Sequence, residues 1–357
     1  MAIGRSALEV FTGSNATAVG SGAADSATTA ANLTAVGKGA LAATDDGANN
    51  TAVGYAALGA GNCASNNTAV GVSALTSFTG SDATVVGSGA AAAVSDSDNL
   101  TAVGRSALAV VTGSYNTAVG HDAGKTITDG ADNTAVGSAA LDGATTGALR
   151  NTAVGQSSLS AAAVADNTAV GNKALFVFAG SNATAVGSNA LALCEGGVEN
   201  TAVGFNSLAL LAGTSASAGL TGDYNTCVGS YAGYATTGES NTFIGRYAGI
   251  YSSTTDNCIA IGRDALAGVS GDKVTGNCNI AIGSYALDAT TLGANNVAVG
   301  HQAGTALGGG GSNQSDCVAI GHQALSTETT SGGSTAVGSA ALKMQNVSNG
   351  NNVAVGR

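Results

Sequence analysis

Asn116-Thr117-Ala118-Val119-Gly120-His121 is one copy of a hexapeptide that recurs along the whole chain. With the glycine as marker, copies fall at Gly4, Gly20, Gly37, Gly54, Gly71, Gly87, Gly104, Gly120, Gly137, Gly155, Gly171, Gly187 and Gly204. They continue at Gly229, Gly245, Gly262, Gly283, Gly300, Gly321, Gly338 and Gly356. All but three of the gaps between these 21 copies are 16 to 18 residues. A short fixed period is the signature of stacked coils that share one continuous core, so it governs how every local motif is read.

Aligned on the glycine, the positions separate by chemistry. The preceding residue is Val or Ile in every copy, and the one before that is Ala except at Val85, Cys227 and Phe243. Thr usually stands three before the glycine, giving way to Ile259, Ile280, Val297, Val318 and Val353 later in the chain. β-branched residues alternating with Ala have the period of two that marks a strand. Because neither face is strongly polar, the expectation is a strand covered on both sides, with Val in the core and an Ala face flat enough for lateral packing. The glycine is expected to turn a corner where no Cβ fits. The following Ala/Ser-Leu pair, as at Leu8, Leu41, Leu58, Leu75 and Leu108, reads as a short return strand. Asn or Asp four or five before the glycine, as at Asn50, Asn67, Asp82, Asn99 and Asn133, suits a turn or an amide ladder.

The fold class that follows is all-β, a parallel β-solenoid of about 20 coils, about 95 Å long if coils stack about 4.8 Å apart. Composition agrees. Aromatics are 4% and charged residues 9%, with 55 glycines and neither Pro nor Trp, so few side chains are large enough for a wide core. The 44% hydrophobic content nevertheless exceeds what a disordered chain carries. A thin interior of small residues satisfies both facts.

A longer echo overlies the short one: Ala7–Asn15 returns as Ala74–Asp82, and Asn32–Gly37 as Asn99–Gly104, each 67 residues later. Four coils therefore form a duplication unit. The organisation expected is regular repeats over 1–207, an insertion loop over 208–228, and divergent repeats over 229–357 continuous with the first part. Gly308 to Ser312 forms a further glycine-rich insertion. Both ends of the chain fall at the same point in the repeat without an evident polar cap, which fits subunits that stack end to end or a segment of a longer fibre.

The copies Asn-Thr-Ala-Val-Gly-x-x-Ala-Leu, and variants such as Asn279-Ile280-Ala281-Ile282-Gly283, resemble the head repeats of trimeric autotransporter adhesins of the YadA type. They are also similar to repeat arrays of phage and viral tail fibres. The resemblance spans essentially the whole chain, although the period here is longer than that of the adhesin heads. It implies a left-handed β-roll, often a homotrimer, serving as an adhesive or spacing shaft outside the cell, at the cell surface or on a virion. The partners expected are other copies of the chain, as a homotrimer or an end-to-end filament, and a host-surface glycan or protein.

Other functions find little in the residues. A net charge of −11, with 11 basic residues spread along the chain, gives no basic stripe for nucleic acid. No apolar run approaches the length of a transmembrane helix, so membrane insertion is not expected. His121, His301 and His322 all follow a marker glycine, a place filled elsewhere by Arg, Lys, Ser, Tyr and Gln, so they read as a solvated corner and not as metal ligands. Gly120 to Thr126 imitates a phosphate loop but has one residue too few between its glycines. No Ser/His/Asp grouping stands out. An enzyme is not expected, and neither catalytic residues nor a cofactor are assigned.

Six of the eight tyrosines, Tyr224, Tyr231, Tyr234, Tyr247, Tyr251 and Tyr285, cluster after the insertion and form the candidate contact surface for sugar or protein. Variation is otherwise free only directly after the glycine, so specificity is expected there or in the loops after Leu208. Cys258 and Cys278 occupy nearly equivalent places on consecutive coils, close enough for a candidate disulfide. Small buried thiols are the alternative. Regular Thr ranks also raise ice binding as a second function, against which stands their replacement by Ile and Val in later coils.

Overall fold

The computed structural model describes all residues except 144–145, 162–163, 195, 210–221, 269–273, 306, 308–313, 328–331 and 345–350. The chain divides into two compact units, Met1–Lys173 and Ala174–Arg357. Most of the expected insertion loop and the glycine-rich run from Gly308 lie outside the described residues.

The first unit carries β1 (Ala2–Ile3), β2 (Ser14–Val19), β3 (Ala31–Val36), β4 (Thr51–Val53), β5 (Thr68–Val70) and β6 (Thr84–Val86). It continues with β7 (Thr101–Val103), β8 (Thr117–Val119), β9 (Thr134–Val136), β10 (Thr152–Val154) and β11 (Thr168–Val170). The second carries β12 (Thr184–Val186), β13 (Thr201–Val203), β14 (Thr226–Val228), β15 (Thr242–Ile244) and β16 (Ile259–Ile261). There follow β17 (Ile280–Ile282), β18 (Val297–Val299), β19 (Val318–Ile320), β20 (Thr335–Val337) and β21 (Val353–Val355). Within each unit every strand pairs in parallel with the next, and the register is that of the repeat: Thr117↔Thr134, Ala118↔Ala135 and Val119↔Val136 are typical. Each unit is thus a parallel β-solenoid, one strand to a coil.

Which way the strand faces corrects the expectation. Ala18, Ala52, Ala118 and Ala202 are fully buried, so the Ala rank lines the interior. Val53, Val86, Val103, Val119 and Val170 are 36 to 39% exposed, and the Thr beside them lies at the surface half-buried or exposed. The strand is covered on one side only. Its Thr-x-Val face looks out and the Ala face looks in, the reverse of a Val core with Ala outside. The coil is too narrow for a larger residue in most copies, which is why Ala holds the inward place.

The return strand is also corrected. The residues two and four after the marker glycine are left-handed in copy after copy: Ala56 and Leu58 have φ of 51° and 48°, Ser106 and Leu108 56° and 49°. Alternating left-handed residues curl the backbone through consecutive turns and prevent an extended strand. The inter-coil ladder nevertheless persists, with Leu41 N–H donating to Ala57 O at 3.0 Å and Leu58 N–H to Ala74 O at 3.0 Å. The buried backbone groups are therefore satisfied without a second sheet. Such φ values are uncommon for Leu. Burial of each Leu side chain, worth about 1.5–3 kcal/mol, holds it there.

At the corner, Gly120 has φ +142°, and a Cβ on it would lie 2.4 Å from Gly137 O of the next coil. Conformation and close approach both demand glycine. The remaining interior is filled seven residues after the marker by Phe78, Val94, Val111, Ile127, Phe178 and Leu307, all fully buried.

The two Asn positions do different work. Four before the glycine, Asn116 is fully buried, and its Nδ2 donates to Gly113 O at 2.8 Å and to Gly130 O of the next coil at 2.8 Å. Its Oδ1 accepts from Asn133 N at 3.1 Å and Asn133 Nδ2 at 3.0 Å. Asn133 in turn receives Asn151 N at 2.9 Å, and Asn151 receives Asn167 N at 3.0 Å. Five before the glycine the residue is left-handed and outside. There Asn15, Asn32, Asn49, Asn66 and Asp82 form a second ladder, linked side chain to side chain at 2.9 to 3.1 Å. Left-handed geometry suits Asn and Asp, and stacked amides satisfy one another.

Candidate functional site

The second unit contains a groove of about 550 Å³ lined by tyrosines. Its floor is one repeat rank, two residues after the marker glycine, read over four successive coils: Asn206, Tyr231, Tyr247 and Asp264. All four lie in the left-handed region, with φ from 52° to 57° at the first, second and fourth and 61° at Tyr247. The turn therefore projects their side chains from a fixed place on every coil. Tyr234, Ile250 and Tyr251, farther along the same turns, complete the walls.

Tyr231 is the hub. Its ring meets Phe205 edge-on at 5.4 Å, Tyr234 edge-on at 5.2 Å, and Tyr247 at 5.4 Å with a tilt of 42°. These are favourable aromatic geometries. Arg246 lies 4.5 Å from the centre of the Tyr247 ring and donates to its hydroxyl at 3.1 Å, which holds that ring from outside. Burial, with Tyr231 and Tyr251 nearby, pushes the Tyr234 hydroxyl above its ordinary titration range. Asp264 has one carboxylate oxygen 3.6 Å from Arg263 Nε.

The core beneath the groove is rearranged. In these two coils the usual buried Leu is replaced by Gly233 and Gly249. Phe243, standing at the inward Ala position, fills the vacated space and is fully buried. A Cβ on Gly249 would come within 2.6 Å of the Phe243 ring, and one on Gly233 within 2.5 Å of Cys227 Sγ.

Four of the six expected tyrosines, Tyr231, Tyr234, Tyr247 and Tyr251, are thus brought together. Tyr285 follows in the same rank but faces other groups: Arg263 sits 4.7 Å over its ring, and His301 meets it edge-on at 6.1 Å. Tyr224 does not join them. It occupies the exposed left-handed place before a strand, 53% exposed, where the outer amide ladder runs in other coils. Asn206 and Asp264 were not singled out by sequence reasoning, although the signal was available: counted from their glycines they share the rank of Tyr231 and Tyr247.

Cys258 and Cys278 are both free thiols. Cys258 holds the inner ladder position, buried, with Asn279 N–H donating to its sulfur at 3.3 Å, and burial raises its pKa to about 11. Cys278 holds the outer, left-handed position and is exposed. The one-residue offset in the repeat turns the two side chains to different sides of the coil wall. His301 and His322 stack nearly parallel at 5.4 Å, while His121 lies in the other unit beside Arg105 and Asp122. Among the described residues no three His, Cys, Asp or Glu side chains converge as a metal-binding group, and no helix is long and apolar enough to cross a membrane. Comparison with protein-family models and with curated proteins returns no match.

Proposed function

We propose that this chain is a non-enzymatic structural element, a shaft or filament subunit of an extracellular or virion fibre, whose copies pack side by side along the Thr-x-Val/Ile face. One observation carries the reading. The outward Val/Ile rank is repeated in strict register, one coil apart, through each unit; its members are half-buried or exposed, with Val119 at 38%, Ile244 at 38% and Ile320 at 40%. A contiguous apolar rank of this kind is costly to leave in water and marks an interaction surface. Replacement of the adjacent Thr by Ile259, Ile280, Val297 and Val318 makes the face more apolar in the second unit, as a packed interface favours. The resemblance to adhesin heads and tail-fibre arrays supports the same reading.

Sedimentation velocity tests it. The wild-type chain is expected as a discrete oligomer, and the variant with Val103→Glu, Val119→Glu and Val136→Glu as a monomer with unchanged β-sheet circular dichroism. A wild-type chain that stays monomeric at the highest attainable concentration contradicts the proposal.

A second reading draws on the first unit alone. From Thr17 to Thr168 the outward face is an unbroken double rank of Thr and Val in register. A regular outward-facing array of this kind fits an ice-binding surface. Thermal hysteresis near the freezing point, abolished by Thr101→Tyr, is the expected result on that reading; none leaves lateral packing as the function of the face.

A further inference from the structure

From the tyrosine groove we infer a binding site for a neutral pyranose sugar, lined by Tyr231, Tyr234 and Tyr247 with Asn206 and Asp264 at its ends. The inference stands apart from the lateral packing proposed above, which uses the strand face. A pyranose ring has an apolar face of C–H groups and a rim of hydroxyls. It is therefore bound by an aromatic surface flanked by hydrogen-bonding groups. The groove offers that division. Tyr231 and Tyr247 are half-buried, on consecutive coils, and fixed by Phe205 on one side and Arg246 on the other.

The polar ends are spaced for hydroxyls on either side. Asn206 and Asp264 are three coils apart in one rank, about 14 Å at a coil spacing of about 4.8 Å. Between them there is room for one or two rings, and the volume of about 550 Å³ lies inside the range of ~300–1,000 Å³ usual for small-molecule sites. The Asp264 carboxylate accepts from two hydroxyls, and the Asn206 amide both donates and accepts. Tyrosine hydroxyls add further partners at the rim.

Charge selects the class. Among the described residues, Asp264 is the only charged group lining the groove; of the nearby arginines, Arg246 lies over Tyr247, and Arg263 lies over Tyr285 and pairs with Asp264. An anionic sugar would meet the Asp264 carboxylate with no cation among the described lining residues, so neutral sugars are favoured.

The test uses the full chain and a panel of methyl glycosides of glucose, galactose, mannose and N-acetylglucosamine, with N-acetylneuraminic acid as the anionic member. Binding is read by saturation-transfer NMR and by tyrosine fluorescence, which no Trp obscures. At least one neutral glycoside is expected to bind with Kd on the order of 1 mM. Tyr247→Ala should weaken it at least tenfold and Asp264→Asn severalfold, while Tyr115→Ala, in the other unit, leaves it unchanged. Asp264→Asn keeps the side chain's size and shape and decides the matter if Tyr247→Ala fails to fold. Saturable binding by none of the neutral glycosides, binding of the anionic sugar alone, or binding unaffected by Asp264→Asn overturns the inference.

Discussion

Asn133 shows how much one side chain does in a coil this thin. Buried, it donates to Asn116 Oδ1 and Ala148 O and accepts from Asn151 N, so it ties three successive coils together. Its replacement by Ala leaves buried donors and acceptors on both sides unpaired. The expected cost is about 2–4 kcal/mol, measured as a shift in chemical denaturation of the variant. Gly120→Ala is expected to be worse, since the new Cβ collides with the Gly137 carbonyl and the backbone is far from any L-residue minimum. That variant should fail to accumulate as folded protein, or lose at least ~3 kcal/mol. Both roles were legible, because the repeat isolates each position and glycine at every corner has few explanations. The direction of the strand was read the wrong way round, with Val inside and Ala outside. Thr-Ala-Val reads equally well with either face inward, and only the narrowness of the closed coil, which admits Ala in most copies and Phe243 where a Leu is lost, decides it.

At the scale of the coil, missing volume is replaced from neighbouring positions. Gly124 stands where most copies have Leu, and a Cβ there would press on Leu108 and Ile127. Gly304 is compensated in the same way by Leu307 and Leu287. Around Gly233 and Gly249 the compensation comes from the Phe243 ring, with Cys227 Sγ beside it at Gly233, so Phe243→Ala should open a cavity and cost about 3–5 kcal/mol. Because solenoid stability is largely a sum of coil and neighbour terms, the loss should appear as faster amide exchange in β14, β15 and β16 before global unfolding. Sugar binding should fall with it. The tyrosine cluster was visible as a density of residues in the sequence. Counting from the glycine separates Tyr224 from the rank of Tyr231 and Tyr247, but it also puts Tyr285 in that rank, and only the structure shows that Tyr234 and Tyr251 line the groove while Tyr285 does not.

Coils also pair carboxylates across neighbours. Asp288 lies partly buried next to Asp264, and burial in the first place, with the Asp264 charge adding to it, raises its pKa to about 6. An unfolded carboxyl titrates near ~3.9. Between those values the folded chain holds a proton that the unfolded chain has released, so stability falls as pH rises from about 4 to about 6 and stays lower above it. After allowance for its partial exposure, the effect is roughly 1 kcal/mol. Thermal melts should show a midpoint higher at pH 4.5 than at pH 7.5, and Asp288→Asn should flatten that difference. Asp142, beside Asp122, is raised in the same direction, again chiefly by burial.

On the scale of the whole molecule, the fold class was readable because period, composition and duplication all point to stacked coils. Function was harder to read, since a repeated rank serves packing and recognition with the same residues. Val103, Val119 and Ile244 look like core residues in the sequence and stand outside in the structure. On the function proposed above, a second copy of the chain lies against the outward apolar rank. The most direct measurement is a cryo-EM reconstruction of the assembled protein. The account predicts copies in contact along the Thr-x-Val/Ile face, with Val103, Val119 and Ile244 buried between them. Isolated single chains, or an assembly in which that face is turned to solvent, would contradict it.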